Sequence, residues 1–173
     1  SVGLRLHTDF SKTSDDVEIR ALDVHRLKHI IEPTVDLSLA GATINPEDIP
    51  VFDREVEGIR EGTTARFGLR NTLQTQRGGP GQWRTVDWLV VNTDLVLASD
   101  DTDTATPVPR YIGYRPELST GGDHFHSDVM WMISDTLAAV AEVNHSIEHS
   151  ETSEWRVGAS LQHTPRLSSF LDY

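Results

Sequence analysis

Residues 27–39 read LKHIIEPTVDLSL, and their side chains alternate in character along the whole run. Most odd positions are apolar, whereas the even positions, apart from Ile30, are charged or carry a hydroxyl group. Successive side chains of a β-strand point to opposite faces of its sheet, so this alternation predicts a strand with one apolar and one polar face. The run is also long, because strands in globular proteins usually contain about 5–6 residues.

The same alternation recurs along the chain and predicts an all-β, antiparallel protein. Glycine-rich turns at 78–81 and 121–123 separate some runs, and the longer polar stretches 41–62 and 99–109 separate others. Residues 134–149 fit both an N-capped helix and a strand; we favour the strand, because it completes a hairpin with the run before it. We predict about eight strands, at 2–10, 26–39, 63–76, 85–98, 109–119, 124–133, 136–148 and 154–163.

The composition excludes several classes of partner and site. The chain has 27 acidic and 15 basic residues, and its net charge of −12 argues against a nucleic-acid partner and against a basic surface for anionic lipid. It has no cysteine, which removes disulfides and thiolate metal ligands. No apolar stretch reaches the roughly 18 residues that a transmembrane helix needs. Because the chain opens directly with strand-like alternation, we expect residues 1–173 to be a partial β-barrel domain of a longer protein.

Long strands with one apolar face fit two architectures. In a soluble β-barrel or sandwich the apolar face points into the core, whereas in an outer-membrane β-barrel it points to lipid and the polar face lines the lumen. Strand length favours the membrane barrel, since a tilted transmembrane strand needs about 9–11 residues. The long acidic loops that alternate with short turns favour it too, as do aromatic residues near strand ends. Those aromatic residues are Trp83, Trp88, Tyr111, Tyr114, Trp131 and Trp155. The lumen-facing charged residues would be Glu32, Asp36, Arg66, Arg70, Asp94 and Arg156.

Four segments resemble, in order, the motifs of one known family. They are RLKHIIEP at 26–33, IPVFD at 49–53, RFGLRNTLQT at 66–75, and the pair Asp87 and Trp88 at the start of the next strand. Their order and rough spacing over residues 26–98 resemble those of the LPS-assembly protein LptD family, also called the organic solvent tolerance family.

This resemblance implies part of a large outer-membrane β-barrel that inserts lipopolysaccharide into the outer leaflet of the bacterial outer membrane. It also implies the partners of such a barrel: lipopolysaccharide, membrane lipid, an LptE-like plug lipoprotein and the periplasmic Lpt bridge components. Transport of this kind needs no chemical step, so we expect neither catalytic residues nor a cofactor. The chain is too short to include the periplasmic jellyroll domain of the family, and it lacks the cysteines that many members use for disulfides.

A metal site in a soluble, cupin-like binding domain is the alternative. His124 and His126 would share one strand face at the spacing of a cupin metal site, and Asp128 follows on that face. The later Glu and His of a cupin motif are absent from the sequence. A polar strand face next to a turn is therefore the simpler interpretation of these three residues.

Overall fold

The computed structural model describes residues 2–41, 43, 62–99, 123–147 and 151–173. In this part of the chain we number nine β-strands. A single turn of 3-10 helix, Arg20–Leu22, separates the second strand from the third. The strands are β1 (Val2–His7), β2 (Phe10–Ile19), β3 (Val24–Ala40), β4 (Gly62–Arg77), β5 (Arg84–Ala98), β6 (His124–Met132), β7 (Leu137–Ser146), β8 (Glu151–Thr164) and β9 (Leu167–Asp172).

The nine strands form one antiparallel sheet, which confirms the predicted all-β, antiparallel class. The order across the sheet is β1-β3-β4-β5-β6-β7-β8-β9, and β2 also pairs with β3. The sheet is open within the described residues, because β1 and β2 form one edge and β9 forms the other.

Strands β1 and β2 behave as one long strand that is interrupted opposite Pro33. The ladder with β3 includes the pair His7–Thr34 and resumes at Phe10–Ile31. In the gap, the Thr8 amide donates to the carbonyl oxygen of Pro33 at 3.4 Å. Proline has no N–H to return a second hydrogen bond, which explains why the pairing lapses here.

Most strand predictions agree with the structure to within a few residues. Residues 137–146 form β7, so the strand interpretation of 134–149 is confirmed. The first strand differs, because pairing continues beyond residue 10 to Ile19. Strand β9 was not among the predicted strands, and the predicted strand at 109–119 lies outside the described residues.

The connections differ between the two ends of the strands. Four tight connections, at 20–23, 78–83, 133–136 and 165–166, lie at one end, which we call the turn end. The long acidic segments 41–61 and 99–123 leave and re-enter the sheet at the opposite end, which we call the loop end. This separation follows from the antiparallel order of the strands. The connection 147–150 also lies at the loop end but is short, so the predicted alternation of short turns with long loops holds for two of the three connections at that end.

The polar face of the sheet is more buried than the apolar face. On the polar face, the side chains of Asp36, Asp94, His124, His126, Asn144 and Ser146 are all buried, together with Val90 and Val96. On the apolar face many large side chains are exposed, including Leu4, Leu37, Phe67, Leu69, Leu97, Trp155, Val157 and Leu171. The turn end is an exception, since Val24, Thr75 and Arg77 are buried there. A sheet in a soluble protein would instead bury its apolar face.

Among the described residues, no helix is long and apolar enough to cross a membrane.

Candidate functional site

The six charged residues predicted for the lumen all lie on the polar face of the sheet. Across the ladders, Asp36 is opposite Arg66, and Glu32 is opposite Arg70. Asp94 is opposite Gly68, two residues from both arginines. Arg156 lies on the same face of β8, opposite Glu142. Their role in a transport path stays a prediction, but their common face is a property of the strand register.

Arg66 is the centre of a charged network near the loop end. Its Nη1 lies 2.7 Å from Asp36 Oδ2, and its Nη2 lies 2.7 Å from Asp94 Oδ1. Arg66 Nε also donates to Asp94 Oδ1 at 2.8 Å. Arg5 of β1 pairs with the other oxygen of Asp36. The network therefore joins β1, β3, β4 and β5, with both carboxylates buried.

Gly68 provides the space that this network occupies. A Cβ atom at Gly68 would lie 2.8 Å from Asp94 Oδ1 and 3.1 Å from Arg66 Nη2. Because Gly68 is directly opposite Asp94, its missing side chain lets the Arg66 guanidinium lie across the strand and reach that carboxylate. Glycine is disfavoured inside strands, and the close approach of another group is one of the reasons for its presence there.

A second polar row crosses six strands nearer the middle of the sheet. Its contacts are looser than those of the Arg66 network, with Arg70 Nε 3.5 Å from Glu32 Oε2 and Arg156 Nη1 3.6 Å from Glu142 Oε2. Asn92 Nδ2 donates to Asp128 Oδ2 at 2.9 Å. In order across the sheet, the row consists of Glu32, Arg70, Asn92, Asp128, Glu142 and Arg156.

The two sets of charged residues border a polar groove of about 320 Å³. Carboxylates, guanidinium groups and an amide converge on it, so it offers hydrogen-bond acceptors and donors side by side. A surface of this kind can hydrogen-bond the hydroxyl and charged groups of a hydrophilic molecule, while offering little to an acyl chain. Its lining includes His7, Glu32, Arg66, Arg70, Asn92, Asp94 and Asp128.

The three residues of the alternative metal site are neighbours on the polar face. His124 and His126 are buried, and His126 Nε2 lies 3.7 Å from Asp128 Oδ1. Within the described ranges, however, no three His, Asp or Glu side chains converge closely enough to hold a metal ion. The structure therefore offers this alternative no metal-ligand cluster in the described part of the chain.

The aromatic residues named from the sequence do not share one face or one end of the sheet. Trp155 is exposed on the apolar face and contacts Tyr173, with ring centroids 5.5 Å apart. Trp83 lies in the connection after β4, with its ring centroid 5.1 Å from that of His25. Tyr111 and Tyr114 lie outside the described residues.

Two arginines with clear roles were not singled out from the sequence. Arg5 extends the Arg66 network into β1, and the alternation of residues 2–7 would have placed it on the polar face. Arg77 is fully buried at the turn end, where Nη2 donates to the carbonyl oxygens of Met132 and Ile133 at 2.7 and 3.1 Å. No local pattern signals Arg77, because its partners are on another hairpin.

Asp135 completes this contact at the turn end. Arg84 pairs with its carboxylate, and Arg77 Nη1 lies 3.4 Å from Oδ1. The hydrogen bond from Arg84, together with the charges of both arginines and the hydrogen bond from Arg77, lowers the pKa of Asp135 below its usual value despite some desolvation. The two short connections at 78–83 and 133–136 are thereby held together by charge.

Comparison with known proteins finds no match for this chain among protein-family models, curated protein sequences or solved structures.

Proposed function

We propose that this chain is part of an outer-membrane β-barrel that takes part in lipopolysaccharide transport. In this proposal the apolar face contacts lipid, and the polar face lines a water-filled lumen along which the hydrophilic part of the lipid moves. The chain acts without a catalytic step.

The reversed burial of the two faces is the observation that carries the proposal. Exposed leucine, valine and aromatic side chains on one face are costly in water but favourable against hydrocarbon, at about 25 cal/mol per Å² of apolar surface. Buried charges on the opposite face are stable where they pair, as Arg66 does with Asp36 and Asp94. Lipid-facing apolar residues that alternate with lumen-facing polar ones are the pattern of transmembrane β-barrels.

Strand dimensions support the same proposal. The described strands β3, β4 and β5 contain 17, 16 and 15 residues, and a transmembrane strand needs about 9–11. The apolar side chains of β4 extend from Ala65 to Leu73, which is about the height of such a span.

The lipopolysaccharide part of the proposal is supported by the family resemblance. Three of the four resembling segments fall on adjacent strands: 26–33 on β3, 66–75 on β4, and Asp87 with Trp88 on β5. The segment 49–53 lies outside the described residues. The LptE-like plug, the periplasmic bridge components and the outer-membrane location belong to this same proposal.

The membrane part can be tested by folding the chain with and without detergent micelles, followed by circular dichroism. We expect β-sheet structure only in micelles, because the apolar face needs a hydrocarbon phase. A monomeric β fold in plain buffer would reject the membrane assignment and return attention to the soluble binding domain, with metal titration at His124 and His126 as the next step.

A sharper test compares two neighbouring residues on opposite faces. The chain has no cysteine, so Leu69→Cys and Arg70→Cys each introduce a single labelling site. Spin labels on the refolded variants in vesicles should differ: the label at 69 should collide with oxygen dissolved in lipid, and the label at 70 with a water-soluble nickel complex. Equal accessibility to the nickel complex at both positions would contradict a lipid-facing apolar side.

The transport part needs a separate test in bacteria that have an outer membrane. A photoreactive amino acid at position 70 should capture lipopolysaccharide, detected by immunoblotting, whereas the same residue in place of Gly79 in a turn should not. A correctly inserted protein that captures no lipopolysaccharide at position 70 would retain the barrel and reject the transport role.

A further inference from the structure

The apolar face of the sheet carries one polar side chain on each of the five neighbouring strands β3 to β7. Between the cross-strand levels of His29 and His145, every other apolar-face position of these described strands holds an apolar residue. Two further polar residues lie directly opposite the end members, on β2 and β8. We call the whole set the polar seam, which consists of Lys12, His29, Asn71, Thr93, Ser127, His145 and Thr152.

Neighbouring members of the polar seam contact one another. Lys12 and Thr152, at its two ends, are exposed, and the five residues between them are half-buried. These contacts use only part of the hydrogen-bonding capacity of the groups, since an asparagine amide alone has two N–H donors. Three pairs lie at hydrogen-bond distance: His29 Nε2 and Asn71 Oδ1 at 3.2 Å, Thr93 Oγ1 and Ser127 Oγ at 3.3 Å, and His145 Nδ1 and Thr152 Oγ1 at 3.4 Å.

The polar seam crosses the strands diagonally. Asn71 lies two residues beyond the cross-strand partner of His29, and Thr93 lies two residues beyond the partner of Asn71. Ser127 is directly opposite Thr93, and His145 lies two residues beyond the partner of Ser127. Each step is towards the loop end, so the shift from β3 to β7 is six residues. At about 3.3 Å per residue and about 4.8 Å per strand, the seam advances about 20 Å along the strands and about 19 Å across them.

In an outer-membrane barrel this diagonal runs almost parallel to the barrel axis. Val157, on the apolar face, exchanges both backbone hydrogen bonds with Tyr173. With the turn end upwards and the apolar face towards the viewer, this contact places β9 to the right of β8, and the strand order runs from left to right. Seen from outside, the right-twisted strands of a barrel lean to the right by about 35–45°. The seam leans about 45° to the left of the strands, as its two advances along and across them require.

The two angles nearly cancel, so the polar seam follows the membrane normal. Its length from β3 to β7 is about 28 Å, close to the thickness of about 30 Å of the hydrocarbon core of a bilayer. The exposed ends, Lys12 and Thr152, extend it further towards the two headgroup regions.

We propose that the polar seam guides phospholipid headgroups between the two leaflets, so that the protein scrambles phospholipids. The proposal rests on the membrane part of the proposed function and is separate from transport along the polar face.

The chemistry of the seam suits a phospholipid. A headgroup crosses a plain bilayer slowly, because its polar groups lose their hydrogen bonds with water in the hydrocarbon. The seam offers donors and acceptors throughout that depth, and its longest steps are diagonal ones of about 7–8 Å. The ammonium group of Lys12 complements a phosphate at the turn end. The seam is one side chain wide on each strand and has apolar borders, as at Ile31 and Leu69, which can contact the acyl chains.

Scrambling can be measured in phosphatidylcholine vesicles that contain the full-length protein and a trace of a short-chain fluorescent phospholipid. Serum albumin extracts this lipid from the outer leaflet only, and it is too large to pass through the lumen. Without scrambling, albumin extracts only the outer-leaflet share of the fluorescent lipid. With the wild-type protein, we expect nearly all of the lipid to be extracted from vesicles that contain it.

A matched pair of double variants tests the role of the seam. Thr93→Val with Ser127→Ala removes two hydroxyl groups from the middle of the seam, and we expect scrambling to slow several-fold. Ser38→Ala with Thr64→Val makes the same two replacements at directly opposite residues on the polar face, and it should scramble at the wild-type rate. Lys12→Met, which replaces an exposed side chain, is a second seam variant and should also slow scrambling several-fold.

The outcomes separate this proposal from the proposed function. A wild-type protein that is inserted in the vesicles but does not scramble would overturn the proposal, and so would equal rates for the seam variants and the polar-face variant. Insertion is checked with the spin labels at positions 69 and 70. Failure of the wild type to insert would instead reject the outer-membrane function on which the proposal rests.

Discussion

At the scale of single residues, Arg66 is the cation that the two buried carboxylates of its network share. Removing its guanidinium leaves the buried carboxylates of Asp36 and Asp94 without their shared cation, which costs about 3–5 kcal/mol for buried pairs. We therefore expect Arg66→Met to lower the free energy of unfolding in micelles by about that amount. Arg156→Met, which removes a half-exposed arginine, should cost about 0–1 kcal/mol. Urea titrations measure both, and equal losses would contradict a special role for Arg66.

The space at Gly68 can be tested by an alanine substitution, with the same substitution at Gly79 as the control. In Gly68→Ala the new methyl group must displace the paired Asp94 and Arg66 side chains, and overpacking of this kind costs about 1–3 kcal/mol. A Cβ at Gly79 meets nothing within 4 Å, so Gly79→Ala should leave the free energy of unfolding almost unchanged. A neutral Gly68→Ala variant would show that the network can shift without loss.

At the scale of strands, Pro33 explains the break between β1 and β2. Pro33→Val restores an N–H where β3 faces the gap, so we expect a continuous ladder from Val2 to Ser14, where the register shift of β2 begins. Amide hydrogen exchange at Thr8 should become slower, because its hydrogen bond to residue 33 then lies in an uninterrupted ladder. Pro165→Val, in the turn before β9, is the control and should leave exchange at Thr8 unchanged. Unaltered exchange in both variants would assign the break to another cause.

The turn end gives a prediction about pH. Because pairing with Arg84 and Arg77 lowers the pKa of Asp135, this carboxylate stabilises the folded state above its unfolded pKa of about 3.9. The contribution is lost as the pH falls through the lower folded-state value. The difference in unfolding free energy between the wild type and Asp135→Asn should therefore be largest near neutral pH and shrink towards pH 3. A difference that stays the same from neutral pH down to pH 3 would contradict the ion-pair interpretation.

At the scale of the whole molecule, the cost of an arginine on the apolar face should depend on its depth in a bilayer. Leu69 lies at the middle of the apolar part of β4, and Leu39 lies near the loop end of β3. Arginine facing lipid costs about 2–4 kcal/mol at the midplane and about 0–1 kcal/mol near the interface. We expect Leu69→Arg to destabilise the protein in vesicles by the larger amount and Leu39→Arg by the smaller. Both side chains are exposed in the structure, so the two variants differ mainly in their expected depth in the bilayer. Similar costs at both positions would therefore argue against a bilayer around this face.

Most of the strands and their two faces could be predicted from the local alternation of side chains, although β9 and the extent of the first edge strand could not. The alternation in residues 27–39 is a local property with a period of two, and it placed Glu32 and Asp36 on one face and Leu37 on the other. At 134–149, where the residues also fit a helix, the hairpin with the preceding run favoured the strand. The polar residues of the candidate site could therefore be assigned to a common face before any pairing was known.

Which of these residues contact one another depends on how the strands pair. Arg66 reaches both Asp36 and Asp94 because the register places them on neighbouring strands and Gly68 leaves room between them. Arg77 binds carbonyl groups more than fifty residues away, at Met132 and Ile133. The burial of the polar face, too, is a property of the assembled sheet. Contacts of this kind depend on register and on distant segments, which a local pattern of side chains does not encode.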